Sequence, residues 1–499
     1  MKTSLLVVAC LLLLSCRKIS STYVISVPDP SSEIPKADIN KFVHEQLVQH
    51  NYFDWKMAGD TMVWSALIQA DSVLSIGYQP EGFADLPAKI HTIDVKSAVW
   101  QEARTKVLAM VMANEGSAAI VFKEGVLPVI NLKISHFATL KALRGSSLIR
   151  YAEPIGYGAY MDDLAVSDVQ ASSDILASGC GYNTPKTDLV AGADYTTLLP
   201  GAKASWNYGY HHIAEAWAKS SGQNVKVMLI DTGISDTQEN LGLAFNQGYS
   251  SGRTIQKQVT ISGGTVNDPC GHGTSMAGVI AAPRGTDGNA IGIAYNSNLL
   301  AVHAADNVVI LSSAAINGVT NAYILGADDP AVKIISMSMG TIFSSGQIKD
   351  ALNYAFNKQK LMFCAAGTST PFFASFIGVI FPANQPQVVA ITGIKDNLTE
   401  RCADCHVGDK VDFVIVMEKT STGRSPLSTA MSGDIPSTVG GSSVATASCS
   451  AIAALVWSKY PAYSRDSIMS RLVRSSSNAY NRSSKFGWGV INADAAVGS

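Results

Sequence analysis

Three short stretches carry side chains whose chemistry fits one reaction. The run VKVMLIDTGIS, residues 225–235, ends an apolar segment in Asp231, as a buried strand does when it delivers a carboxylate to a site at its C-terminal end. In DPCGHGTSMAGVIAA, residues 268–282, His272 stands between two glycines at the start of a small-residue run. In GGSSVATASCSAIAALV, residues 440–456, two glycines and a serine pair open a run of small and apolar residues, the pattern of a tight turn feeding a buried helix. A serine in the first turn of such a helix faces unpaired backbone N–H groups and the positive end of the helix dipole, which stabilise a negative oxygen. A carboxylate, an imidazole and a hydroxyl are together the parts of an activated nucleophile, because the free hydroxyl is weak and needs an oriented base. Taken singly, each has a plainer reading: Asp231 as a helix cap, His272 as a core histidine, the serine as an N-cap.

In the order DTG, GHGTSMAG, GSSVATAS, the three stretches resemble the subtilisin-like serine proteases, the subtilase family, whose triad runs Asp, His, Ser along the chain. The resemblance implies that Asp231 orients and stabilises the imidazolium. His272 would be general base and then general acid, and Ser443 the nucleophile. It also implies a substrate-binding strand in ISMSMG, where Ser338, Met339 and Gly340 would pair with the peptide backbone; the same residues read equally as a plain core strand. The backbone N–H of Ser443 would be one oxyanion donor. The family's second donor is an Asn after AAG, and here CAAGTST puts Thr368 in that place. Loss of that amide costs about 2.7–4 kcal/mol in a subtilisin, and a threonine hydroxyl is a donor on a shorter arm. Two readings follow, a serine endopeptidase and a catalytically weak or inactive relative that binds peptides. Asn384, in FPANQ, offers another amide for the hole. FVIVM, residues 413–417, stands where the family has a turn with Pro and Gly, and so reads as a remodelled surface loop.

The elements that must position these residues follow from hydrophobic patterning. From Val225 onward, apolar strands (Val227 to Ile230, Leu299 to Val302, Val332 to Met337, Leu361 to Ala365, Val388 to Ile391) alternate with helical segments such as Leu311 to Leu325. That is the pattern of a parallel sheet covered on both faces. The expected fold is α/β, a subtilisin-like parallel sheet flanked by helices over residues 205–499. WNYGYHHIAEAW, from Trp206 to Trp217, resembles the amphipathic helix region that precedes the Asp strand in that family, which implies that His211 and His212 are solvated helix-surface residues.

Ahead of it, residues 17–155 differ in character. Helical patterns at Val95 to Asn114 and Phe137 to Leu143 alternate with strands at Ala118 to Lys123, Val129 to Ile134 and Ser147 to Glu153, a small α+β unit. The stretch before about Gly82 is mixed and rich in turn residues. HFATLKALRGSSLIRYAEP resembles the end of subtilase propeptides, which are ferredoxin-like and inhibit the enzyme intramolecularly; a separate binding domain is the alternative. Residues 156–204, with scattered Gly, Pro and Asp, read as a linker and processing region.

Residues 1–16, MKTSLLVVACLLLLSC, combine a lysine with a short leucine-rich run, a secretory signal too short to span a membrane. LLSC resembles a bacterial lipobox in which Cys16 would be lipidated, tethering the product to the membrane; in an ordinary cleaved signal Cys16 is incidental. Either way the chain is exported, to the bacterial cell envelope or beyond it. No other apolar run reads as a membrane span. A formal net charge of −2 gives no electrostatic case for nucleic acid; the resemblance implies polypeptide substrates, and the chain's own propeptide, as partners. No cofactor is implied. The family often binds calcium, but no ligand run stands out and no metal site is assigned. In an oxidising compartment some of the cysteines should pair, with Cys180 one possible partner for Cys270; Cys364 and Cys449 read as small core residues. Cys402-Ala-Asp-Cys405-His406 matches a haem attachment signal, against a local loop disulfide or two free thiols.

Overall fold

The computed structural model describes residues 33–123, 125–158, 160, 180, 183–369 and 377–498. The signal region and Cys16 lie outside the described residues, as does most of 156–182.

Two helices, α1 (Lys36–His50) and α2 (Asp60–Ile68), lead into β1 (Val73–Tyr78), α3 (Ala98–Glu115), β2 (Ala119–Lys123), β3 (Val129–Lys133), α4 (Phe137–Arg144) and β4 (Ile149–Ile155). The sheet is antiparallel in the order β2-β3-β1-β4, a ferredoxin-like βαββαβ arrangement. Strand β1 lies within the stretch read as turn-rich. It is central in the sheet and all six of its residues, VLSIGY, are buried, so it lacks the alternation that marks a half-exposed strand.

The second unit is built on seven parallel strands. They are β5 (Lys226–Asp231), β6 (Ile255–Val259), β7 (Asn298–His303), β8 (Val332–Met337), β9 (Leu361–Ala365), β10 (Val389–Lys395) and β11 (Phe413–Glu418), in the order β11-β10-β9-β8-β5-β7-β6. The chain lays β6 and β7 on one side of β5 and then crosses to the other. A site outside the carboxyl ends of the strands at such a crossover is the rule in open α/β sheets. Its principal helices are α5 (His272–Ala281), α6 (Ser313–Asp328), α7 (Gly346–Asn357) and α8 (Gly441–Lys459). Helix α8 is long and apolar enough to cross a membrane, yet it is almost wholly buried between α5 and the sheet. Its Ala and Ser residues let neighbours approach closely.

Two expectations are corrected here. FVIVM is not a surface loop but the edge strand β11, with Phe413–Met417 buried. Nor is WNYGYHHIAEAW one amphipathic helix. It is a 3₁₀ turn, Trp206–His211, followed by the short helix Ile213–Trp217, with His212 between them at φ 52°. That break rotates His211 inward. Its Nδ1 donates to the Ile491 carbonyl (2.9 Å) and its Nε2 accepts from Val416 N–H (3.0 Å), while burial pushes its pKa down to about 4.

The sheet of the N-terminal unit lies over the start of α7. Arg150 on β4 makes a two-pronged ion pair with Asp350 (2.8 and 2.6 Å), and Tyr151 donates to the same carboxylate at 3.0 Å. Glu153 accepts the Gly346 N–H at 2.5 Å, satisfying a donor at the helix N-terminus. Burial, with Asp54 adding to it, pushes the Glu153 pKa up to about 8. At Gly346 a Cβ would meet the Tyr151 ring at 2.5 Å, so the close fit of the two units depends on that glycine. Beside them, Phe53, Trp55, Tyr157 and Phe343 form an edge-to-face and stacked aromatic cluster.

Candidate active site

Strand β5 carries Asp231 to its C-terminal end, and Thr232–Gly233 turns the chain away. Asp231 Oδ1 accepts the Thr232 N–H at 2.8 Å and lies 2.7 Å from His272 Nδ1. A carboxylate only accepts, so Nδ1 carries the ring proton and Nε2 presents its lone pair. Asp231 and His272 are both buried. Burial works against the charged ring, but the Asp231 charge and hydrogen bond, with Asp268 behind them, outweigh it and raise the His272 pKa above the usual histidine value.

His272 opens α5, and Asp268 ties down the approach. Its carboxylate accepts from Cys270 N–H (3.0 Å), Gly271 N–H (2.6 Å), Thr274 N–H (2.8 Å) and the Thr274 hydroxyl (2.7 Å). It also accepts from Thr232 Oγ1 at 2.8 Å, and that hydroxyl in turn accepts Gly273 N–H at 2.9 Å. The strand end and the helix start are thereby bonded to each other. Contact is close enough that a Cβ on Gly273 would lie 2.2 Å from the Gly233 carbonyl. Asp268 was not singled out from the sequence; an acid just before a Gly-rich helix start is a capping signal that could have found it. A disulfide joins Cys270 to Cys180.

Ser443 lies in the first turn of α8, which packs against α5. Its Oγ donates to the Ser338 carbonyl at 3.3 Å, and the Ser338 hydroxyl donates back to the Ser443 carbonyl at 2.9 Å. Among the described residues no hydrogen bond joins Ser443 to His272. Thr368 Oγ1 accepts the Ser442 N–H at 3.1 Å and lies 2.8 Å from Ser442 Oγ, which itself accepts Gly367 N–H at 3.2 Å. Each hydroxyl oxygen therefore accepts one backbone proton. Of their two own protons, one bridges the oxygens and the other is left to donate elsewhere. Asn384 stands apart, bonded to Gln385 and lining a different cavity.

Ser338, Met339 and Gly340 follow β8. Gly340 N–H donates to Val308 O (3.0 Å), and its carbonyl accepts Ile310 N–H (2.9 Å), so this edge is already paired with Val308–Ile310. On the opposite edge Thr341 exchanges both bonds with Phe381. Between these segments lies an apolar pocket lined by Val308, Met339, Ile342, Ile377 and Ile380, with Ser443 and Thr368 also on its wall. Cys402 and Cys405 are bonded to each other, which leaves neither thiol for haem attachment. Cys364 and Cys449 are buried and free. Among the described residues no group of three or more His, Cys, Asp or Glu is arranged to hold a metal ion.

Residues 222–489 match the model of the subtilase family. The chain is 27% identical over 327 residues to the thermophilic serine proteinase of Bacillus sp. (strain AK1), covering 64% of this chain and 68% of that protein. It is 28% identical over 197 residues to thermitase of Thermoactinomyces vulgaris, covering 39% of this chain and 64% of that one. In fold it resembles fervidolysin of Fervidobacterium pennivorans, with a TM-score of 0.57 at 17% identity over 86% of this chain and 61% of that chain. With the family match running over more than half of its length and across all three motif stretches, the chain belongs to the subtilase family of serine proteases.

Proposed function

We propose that this protein is an exported serine endopeptidase, made as a zymogen, with Asp231, His272 and Ser443 as its triad. The observation that carries the reading is the buried Asp231–His272 pair. It fixes the ring tautomer so that Nε2 can take a proton, the arrangement a hydroxyl nucleophile requires. A peptide pairs along Ser338–Gly340, and its side chain before the cut enters the apolar pocket. In this reading the Ser443 hydroxyl turns from the Ser338 carbonyl, where it rests, toward His272. Its oxygen then attacks the scissile carbonyl as His272 takes the proton. The oxyanion is held by the Ser443 N–H and by the proton that the Thr368–Ser442 pair leaves over. His272 returns a proton to the leaving amine and then activates the water that hydrolyses the acyl-enzyme.

Residues 17–155 serve as the inhibitory propeptide, a reading supported by their ferredoxin-like order and their ion-paired seat on α7. Processing falls within 156–204. The chain is exported by its N-terminal signal, with lipidation at Cys16; processing downstream of Cys16 releases the protease from that tether. Intact mass of the protein recovered from cells reads signal removal, lipid and processing together.

The test is Ser443→Ala. Peptide cleavage and self-processing should fall by on the order of 10⁴-fold or more, and labelling by a serine-directed phosphonate should vanish. Turnover retained in Ser443→Ala would overturn the triad. A second reading, a peptide-binding protein without turnover, is favoured by one observation, that Ser443 Oγ donates to Ser338 rather than to His272. A wild-type protein that binds peptide but resists the phosphonate would establish it.

A further inference from the structure

The CADCH segment is unused by the chemistry above, yet it lies directly against the loop that carries Thr368. We propose that His406 and Ser369, stapled in place by the Cys402–Cys405 disulfide, are positioning residues for Thr368 in the oxyanion hole. The proposal rests on the endopeptidase reading.

The contact is an antiparallel pairing of two short segments. Thr368 and Cys405 stand opposite each other; His406 N–H donates to Gly367 O at 3.0 Å, and Ser369 N–H donates to Asp404 O at 2.9 Å. Side chains lock the same pair. His406 Nδ1 lies 2.9 Å from the Gly378 carbonyl. A carbonyl only accepts, so Nδ1 carries the proton and Nε2 is the acceptor for the Ser369 hydroxyl 2.5 Å away. Burial keeps the ring neutral by pushing its pKa down to about 4, which preserves that acceptor at every ordinary pH. The ring lies tight under the turn: Gly367 has φ +122°, and a Cβ there would come within 2.6 Å of His406 Nδ1.

The segment is anchored to the sheet, so it can transmit position. The His406 carbonyl accepts from Thr392 Oγ1 at 2.5 Å, and both disulfide sulfurs close on Gly393, where a Cβ would meet them at 2.8 and 3.0 Å. Thr392 and Gly393 belong to β10. Thr368 is thus held on one side by Ser442 of α8 and on the other by a hairpin fixed to the central sheet. The need for such a clamp follows from the side chain. A threonine hydroxyl sits one torsion from the backbone, so any shift of the loop passes straight to the donor, and misplacement by about 1 Å costs on the order of 10²-fold in rate.

The experiment compares Ser369→Ala, His406→Ala and the paired Cys402→Ala/Cys405→Ala change in the full chain, each with Thr368 intact and with Thr368→Val. With Thr368 intact, kcat on a peptide amide substrate should fall about 10-fold or more with KM within a factor of two, as expected of a contact made in the transition state. In the Thr368→Val background the same changes should cost less than a factor of two, because the donor they place is already gone. Equal losses in both backgrounds overturn the proposal, as does a rise in KM with kcat unchanged, or full activity in Thr368→Val alone. Ser369→Ala alters a half-buried hydroxyl and keeps the comparison readable if the other variants fail to fold. Turnover surviving in Ser443→Ala would sink the endopeptidase reading instead. A dead Ser443→Ala beside an unaffected Ser369→Ala would sink only the clamp.

Discussion

The two halves of the site are built differently. The Asp231–His272 half is buried, contains two carboxylates, and is bonded by residues adjacent in sequence: Thr232 follows Asp231, and Cys270, Gly271, Gly273 and Thr274 surround His272. The Ser443–Thr368 half holds no charge, borders an open pocket, and works with hydroxyls held by partners distant in the chain. The charged half has one arrangement in which the N–H groups of Cys270, Gly271, Gly273 and Thr274 each find a side-chain acceptor. The hydroxyl half has several, since a hydroxyl rotates and both donates and accepts. Side-chain geometry is therefore preset on the first side and adjustable on the second, where Ser443 rests on Ser338.

The sharpest way to break this contrast is Asp231→Asn. The amide would donate to Nδ1 and force the proton to Nε2, so kcat should fall about 10⁴-fold while the fold is kept; an unchanged kcat would remove Asp231 from the mechanism. A smaller effect tests the adjustable side. Thr368→Asn puts an amide on a longer arm at the oxyanion, and kcat should rise up to about 10-fold with little change in KM; no gain would mean that Thr368 does not face the oxyanion. Least in size is the pH effect. In the proposed mechanism the base is neutral His272, whose pKa is raised, so activity should be lost as pH falls through a value above the usual histidine pKa. Asp268 contributes to that raising. With Asp268→Asn, the acid limb of the kcat/KM profile should move to lower pH, and an upward move would reverse the electrostatic account.

The same contrast decides what could be read from the sequence. Asp231 and His272 were legible because Thr232, Gly273 and Thr274, which help to fix them, share their motifs, DTG and GHGTS, whereas Asp268 stands just outside and was missed. Ser443 was legible as the first turn of a small-residue helix, and the parallel sheet from its apolar runs. The clamp on Thr368 was not legible, since His406 meets Ser369 and Gly378 only through tertiary pairing. Burial misled in two further places. Strand β1 is covered on both faces and shows no alternation, and in FVIVM the family's turn was given more weight than an unbroken apolar run that is in fact the buried strand β11. His211 was assigned to solvent because a continuous helix was assumed; the αL residue His212 ends the 3₁₀ turn and changes which side faces in.

On the proposed peptide register, the pairing of Gly340 with Val308 and Ile310 would set how a peptide is chosen. A ligand strand entering beside Gly340 must displace as many main-chain bonds as it makes there, so this register gives little net affinity. Selection then shifts to what the displaced bonds cannot supply: the side chain that fills the cavity between Met339 and Ile380, and the cost of moving residues 308–310 aside. A protease that binds peptide in this register would discriminate by bulk at one position more than by the length of extended chain it grips.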